Sequence, residues 1–410
     1  MVKTVMLLLP NLFPVPDVKG GGVELLITQL INENEINGKI KLVIISKYDK
    51  EASNTHFDNS CIYYFENNKI INLPFNNVNR RWKNYCIKNK IIRKLFHNRF
   101  TSQIFKKKHS TLDFFLFQCL LIAKKEHVDK LIVENYSIND RFRPLVKHFG
   151  KNNCYNHIHY HRKDSGCERE IIPNSLSISK FVRDEWIKGS RVSGRNEVLY
   201  NCIDTKKYGR IISDDIKKEK RLQLGFNEND IIVIFCGRLL PVKGVKELLD
   251  AFEIINENRI KLMLIGSFYY SLNKDDEFSR NIVERAKKMD NVTYLGYIPN
   301  SELQDYYSIS DIQAVPSTWQ EGAGLVALEG MASGLPLIIT DSGGMVEYVN
   351  DDCAIKLPID DNLPQNLSEN IINLANDKQL RKMMSEAGKN RAAIFDREMY
   401  YNNFVGIMCQ

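Results

Sequence analysis

None of the nine cysteines in this 410-residue chain stands in a CxxC pair, and their number is odd. That spacing excludes zinc ribbons and small disulfide-stapled domains. Several sit in apolar runs and read as small buried hydrophobes in a reducing compartment. No apolar run is long enough to cross a bilayer: Phe114–Ala123 is too short and contains Gln118. Met1–Pro10 lacks the long apolar region and the small-residue cleavage site of a leader, so it reads as a first strand. No metal site or disulfide framework follows from the cysteines. Nor is any internal repeat visible. These absences predict a cytoplasmic protein whose membrane contact, if any, is peripheral.

What the chain has is bulk. Apolar residues make up 43% and charged residues 26%, the balance of a folded protein. One core rarely grows beyond about 250–300 residues, so two domains are expected. The net charge of +7 is unevenly spread: Arg81–Ser110 holds ten Lys or Arg and no Asp or Glu. Trp82, Tyr85, Ile91, Leu95 and Phe96 are interleaved with those charges. Such a stretch, Arg81–Lys108, suits an anionic membrane surface; the plain alternative is a solvated helical face. Nucleic acid is not an expected partner, because no recognition motif accompanies the charge.

Short apolar runs alternate with helical patterns along both halves. Val5–Leu9, Lys39–Ile45, Leu131–Glu134, Tyr155–His161, Ser175–Ser179 and Val198–Tyr200 read as strands of the first half. The polar stretch Lys206–Lys220 reads as the passage between domains. The pattern then restarts with Ile231–Cys236, Lys261–Ile265, Val292–Leu295, Ile312–Val315 and Leu337–Thr340. Near-continuous apolar strands between helices predict an α/β fold, each parallel sheet covered on both faces. Ligands of such sheets bind beyond the C-terminal strand ends.

Five segments at those ends carry candidate chemistry. After Ile231–Cys236 comes Gly237-Arg238-Leu239-Leu240-Pro241-Val242-Lys243-Gly244, where Arg238 and Lys243 are placed to neutralise a diphosphate; otherwise it is a turn with two exposed cations. Pro316–Gly330 reads PSTWQEGAGLVALEG. A helix starting near Gly324 leaves free N–H groups around Ala323, Gly324 and Leu325 for a phosphate. Glu321 precedes that helix and Glu329 lies inside it, two carboxylates able to accept from sugar hydroxyl pairs. Acidic enrichment at a helix start would account for Glu321 alone. Gly343-Gly344 before Glu347 offers further backbone N–H groups. Gly20, Gly21 and Gly22 precede the first helix and permit close approach of a ligand, or form a flexible loop. His157, His159 and His161 alternate, which puts them on one side of a strand. His161 is the first choice to face the cleft and His159 the second. Zinc is weakly supported by this spacing; the plain alternative makes all three structural hydrogen-bonding residues.

Together these elements resemble the retaining nucleotide-sugar glycosyltransferases of family 4, in the glycogen-synthase-like superfamily with the GT-B fold. The resemblance covers nearly the whole chain and is strongest in the E-x7-E element from Glu321 to Glu329. It implies two Rossmann-like domains, 1–203 on the acceptor side and 204–391 binding the donor, with 392–410 returning to the first. It implies that Arg238 and Lys243 hold the donor diphosphate and that Glu329 binds the ribose. Glu321 would support the reacting centre, Gly21 and Gly22 would face the phosphates, and His161 or His159 would lie beside the donor sugar. Asn201 and Asp204 resemble an N-G-x-D element.

The family implies metal-independent transfer of a hexose or N-acetylhexosamine with retention. No cofactor is expected beyond the nucleotide sugar, with UDP-GlcNAc, UDP-glucose or UDP-galactose the expected donors. A glycan or lipid-linked acceptor in lipopolysaccharide or capsule synthesis is implied. The chain departs from the pattern at Cys202, at Ala323 and at Ser267-Phe268-Tyr269-Tyr270, which bears on donor identity. An epimerase of the same fold or a non-catalytic scaffold are the competing readings.

Overall fold

The computed structural model describes residues 2–10, 12–67, 69–72, 111–164, 167–267 and 276–410. The basic stretch Arg81–Lys108 and the departure at Phe268–Tyr270 lie outside the described residues.

Two parallel sheets carry the chain. The first has the order β4-β3-β2-β1-β5-β6-β7-β8. Its strands are β1 (Lys3–Leu8), β2 (Ile40–Lys47), β3 (Ser60–Glu66), β4 (Lys69–Ile70), β5 (Lys130–Glu134), β6 (Cys154–Ile158), β7 (Asn174–Ser177) and β8 (Asn196–Val198). Only the β3–β4 pair is antiparallel. The second sheet has the order β11-β10-β9-β12-β13-β14 and is parallel throughout. Its strands are β9 (Ile231–Cys236), β10 (Ile260–Ile265), β11 (Val292–Gly296), β12 (Ile312–Val315), β13 (Leu337–Thr340) and β14 (Ala354–Leu357). The order reverses between β1 and β5 in one sheet and between β9 and β12 in the other. Those switch points open crevices at the strand ends.

Alternation explains the double coverage. In β9, Ile232 and Ile234 enter one apolar cluster, while Ile231, Val233 and Phe235 enter the cluster on the opposite face. In β1, Met6 and Leu8 face one way, and Val5 and Leu7 the other. Side chains of successive strand residues point to opposite faces, so a run apolar at every position must be buried on both.

Three features differ from the sequence reading. β3, β4 and β14 were not anticipated: the first is bounded by Ser60 and Glu66, the second is two residues long, and the third is broken by the exposed Lys356. The histidine strand stops at Ile158, so His159 and His161 lie in the loop beyond it. The polar stretch Lys206–Lys220 is not simply a passage. It enters two capped helices, Thr205–Tyr208 and Asp214–Gln223. The second is tied to its sheet by buried Arg221, which donates to the Ile309 and Asp230 carbonyls and to Asp311.

Helix α1 (Gly22–Asn37) and the final helix pack together on the first sheet. That last helix, Arg397–Cys409, buries Tyr400, Tyr401, Phe404, Ile407 and Met408 in the cluster that holds Leu26, Leu30 and Val5. Tyr401 donates to Asn34 Oδ1 at 2.8 Å and accepts the Lys39 N–H at 3.1 Å. Arg397 bridges Glu33 and Asp204. Just before it, the returning chain runs beside the outgoing one: Ile203 N–H donates to the Phe395 carbonyl at 2.9 Å, and Ile203 bridges Asp396.

Phe404→Ala should lower unfolding stability by about 3–5 kcal/mol through loss of burial and the cavity left. Tyr401→Phe should cost about 1–3 kcal/mol, because the fully buried Asn34 loses its donor. Urea titration of both variants checks the ranking.

Candidate active site

Between the two sheets lies a cavity of about 670 Å³. Its wall from the first domain includes Gly21, Gly22, His159, Tyr160 and His161. The second domain contributes Arg238, Lys243, Glu321, Ala323, Gly324, Leu325 and Glu329. The fold thus brings Gly21, Gly22, His159, His161, Arg238, Lys243, Glu321, Glu329 and the Ala323–Leu325 turn to one cavity, at the ends of β9 and β12 and across from the loop after β6, while His157, Gly343, Gly344 and Glu347 lie outside its lining.

The cation loop after β9 is shaped by contact with β12. Pro241–Lys243 forms a 3-10 turn that ends at Gly244 with φ 68°. A Cβ there would sit 1.8 Å from the Pro316 carbonyl oxygen, so only glycine fits. The turn directs Lys243 Nζ to 2.5 Å from Glu321 Oε1. Ser317 Oγ donates to the same oxygen at 2.7 Å. Gly324, with φ 72°, precedes the helix Leu325–Ala332, and a Cβ at that position would press into Met345. The open first turn of this helix aims free N–H groups at the cavity edge.

Glu329 sits in that helix and is buried. It accepts from the Tyr307 hydroxyl at 2.8 Å. Burial pushes its carboxyl above the usual range, and the hydrogen bonds from Tyr307 and Tyr208, with the charge of Lys207, act in the opposite sense. A ligand offering two hydroxyl donors would complete the coordination of this carboxylate.

Gly343 and Gly344 fall beside Glu321. The Gly344 N–H donates to the Glu321 carbonyl at 2.6 Å, and the Glu321 N–H donates to Ser342 Oγ at 3.2 Å. Glu347, three residues on, reaches across to the first domain. It accepts the Lys180 and Phe181 N–H groups at 2.8 and 2.7 Å and the Tyr200 hydroxyl at 2.8 Å. Lys180 and Phe181 open the helix Lys180–Ile187, so a carboxylate from one domain caps a helix of the other. Tyr348 adds a second tie, donating to the Ile178 carbonyl at 2.5 Å and accepting the Asn201 N–H at 2.9 Å.

The three histidines part company. His159 Nε2 lies 2.7 Å from Glu134 Oε2, and His157 Nδ1 lies 2.9 Å from the same oxygen. His161 turns instead towards Glu185 at 3.4 Å and the rings of Phe181 and Trp319. Glu134, His157 and His159 present potential ligand atoms within 4.8 Å of one another. Two donors on a tetrahedral zinc would stand about 3.3 Å apart at bond lengths near 2.0–2.1 Å. As it stands, the 2.7 Å contact is a hydrogen bond.

Sequence reasoning passed over Glu134, which ends an apolar run and reads as a strand terminus. It also missed Tyr307 and the half-exposed Trp319 at the cavity mouth. A carboxylate closing a buried strand at a switch point is the signal that would have marked Glu134.

Residues 216–391 match the family model described as glycosyl transferases group 1. The chain is 27% identical over 249 residues to spore coat protein SA of Bacillus subtilis, a match covering 58% of this chain and 66% of that protein. It is 29% identical over 195 residues to a lipopolysaccharide 1,2-N-acetylglucosaminetransferase of Salmonella typhimurium, covering 45% of this chain and 49% of that one. The chain therefore spans less than two thirds of the length of these relatives. Among solved structures, Anabaena HepE in complex with UDP aligns over 100% of both chains with a TM-score of 0.70 at 16% identity. The shared fold is GT-B: two Rossmann-like domains facing across a cleft.

Glu347→Ala should remove a carboxylate that satisfies three donors at the domain junction. We expect a loss of about 2 kcal/mol or more and a larger radius of gyration, read by thermal unfolding and small-angle scattering.

Proposed function

We propose that this chain is a retaining glycosyltransferase that moves a hexose or N-acetylhexosamine from a UDP-sugar to a glycan or lipid-linked acceptor. The observation that carries the reading is the convergence of Arg238, Lys243, the open end of the helix at Gly324 and Glu329 on one interdomain cavity. Such a set suits a nucleoside diphosphate. Cations and N–H groups take the phosphates, and a buried carboxylate takes the ribose hydroxyls. The match of residues 216–391 to glycosyl transferases group 1 supports it. The UDP held by HepE and the N-acetylglucosamine named for the Salmonella relative support the donor class.

In this reading 1–203 is the acceptor-side domain, 204–391 binds the donor, and 392–410 belongs structurally with the first. Charge grows on the diphosphate as the glycosidic bond breaks. Fixed donors at that position lower the barrier more than they tighten the ground state. Arg238 and Lys243 are those donors, with the backbone at Ala323, Gly324 and Leu325. Glu321 now neutralises Lys243; when the diphosphate takes over that role, Glu321 is released to accept from the sugar. The acceptor hydroxyl attacks from the face the diphosphate leaves and gives its proton to the departing phosphate oxygen, while His159 or His161 binds the sugar opposite Glu321. Closure of the cleft keeps water from competing.

An acceptor in lipopolysaccharide or capsule synthesis is the biological setting we favour. The basic stretch Arg81–Lys108 supports a lipid-linked acceptor at an anionic inner membrane face. No helix among the described residues is long and apolar enough to cross a membrane.

Lys243→Ala should lower turnover of a UDP-sugar by about 10²–10³-fold, and the unpaired Glu321 it leaves should lower the melting temperature. Wild-type turnover in this variant would overturn the diphosphate assignment. Ribose hydroxyls favour ionised Glu329, whose folded carboxyl is raised by burial. UDP affinity should therefore fall as pH drops through that raised value, and Glu329→Gln should flatten the dependence. Calorimetric titration with UDP across acid to neutral pH measures both.

A further inference from the structure

Beneath the cavity, at the end of β5, lies a carboxylate that the reaction scheme above does not use. Glu134 is fully buried, and its register partner on the neighbouring parallel strand is His157. One of its oxygens receives His159 at 2.7 Å, and His157 stands 2.9 Å from that same oxygen without hydrogen-bond alignment. The His159 side chain is only 6% exposed, yet it lines the cavity.

We propose that Glu134 is a positioning residue: its carboxylate takes the Nε2–H of His159 and fixes this cavity-lining ring as the neutral tautomer whose Nδ1 is a bare acceptor for a sugar hydroxyl. The inference rests on the glycosyltransferase reading for its purpose, but its chemistry stands alone. An ionised carboxylate only accepts, so the nitrogen touching it carries a proton. A neutral imidazole has one proton to place, which leaves Nδ1 without one. A second proton is disfavoured by burial and by the His157 ring, whose centroid is 4.0 Å away. Burial and His157 in fact lower His159, against the pull of Glu134.

The groups coupled to Glu134 from other elements leave it as the charged member. Burial raises its carboxyl, but His157 and His159 outweigh that and hold it low. Glu24, on α1, is pushed up to about 7 by burial first, and by Asp17 and Glu134. Tyr400, on the final helix, is also raised, by burial first. A neutral acceptor suits a site built around an anionic leaving group. An imidazolium would be drawn to the diphosphate and could accept no hydroxyl proton.

The test needs no knowledge of the sugar. Ring ¹⁵N spectra of the full chain labelled at histidine, with His159→Gln used for assignment, report which nitrogen bears the proton. The wild type should show His159 as the Nε2–H form from about pH 5 to 8, and Glu134→Gln should shift it to Nδ1–H or to a mixture. A wild-type His159 that is charged, or protonated at Nδ1, overturns the proposal whether or not any donor is turned over. With an active donor, Glu134→Gln should cut kcat about 10–100-fold with UDP affinity kept. It should cost nothing further on top of His159→Gln. Losses that simply multiply in the double variant would show that Glu134 acts elsewhere, and would equally overturn it.

Discussion

The cavity depends on a carboxylate that caps a helix it does not belong to. Glu347 leaves the second domain and accepts two backbone N–H groups at the start of Lys180–Ile187, together with the Tyr200 hydroxyl. Helix starts are short of acceptors, and their dipole favours a negative charge. The first domain supplies that demand and the second satisfies it. Arg391 holds the segment from behind by donating to the carbonyls of Glu347 and Tyr348. The loop after β6 is thereby kept opposite the ends of β9 and β12. Without this register the histidines and the cations would line two separate crevices.

Within the cleft, opposite charges are held in mutual reserve. Lys243 and Glu321 are both partly buried and paired at 2.5 Å. A lone ammonium or carboxylate there would be costly, so each stabilises the other while no phosphate is bound. On the proposed reading, the donor splits this pair into a phosphate contact and a sugar contact. The donor then recovers the desolvation already met by the protein fold. The neutral state argued for His159 complements this arrangement, because it adds no cation that would compete for the diphosphate.

The fold was legible wherever the sequence obeyed one period. Ile231–Cys236 and Lys261–Ile265 are apolar at nearly every position, and little but a doubly covered strand accommodates that. The residues of the cavity were legible because glycines, cations and carboxylates recur at strand ends. What escaped depends on partners distant in sequence. The alternation of His157, His159 and His161 suggested a shared side, but the strand ends at Ile158 and the chain then turns, so His161 meets Glu185. Glu134 acquires its importance only from the strand beside it. The Lys206–Lys220 stretch looked like a tether because its anchoring groups are polar. Arg221 secures it through carbonyl oxygens and Asp311, contacts that leave no hydrophobic pattern to read.

The paired crossing at Ile203 and Asp396 has a mechanical consequence. The chain passes from the first domain to the second and back again, and the two passages are hydrogen-bonded side by side. A single tether would permit one body to swivel and twist on the other. Two adjoining tethers, with the returning helix anchored by Tyr401 and Phe404, suppress twist and leave a bending axis through the crossing itself. Opening of the cleft is thereby confined to a jaw-like arc.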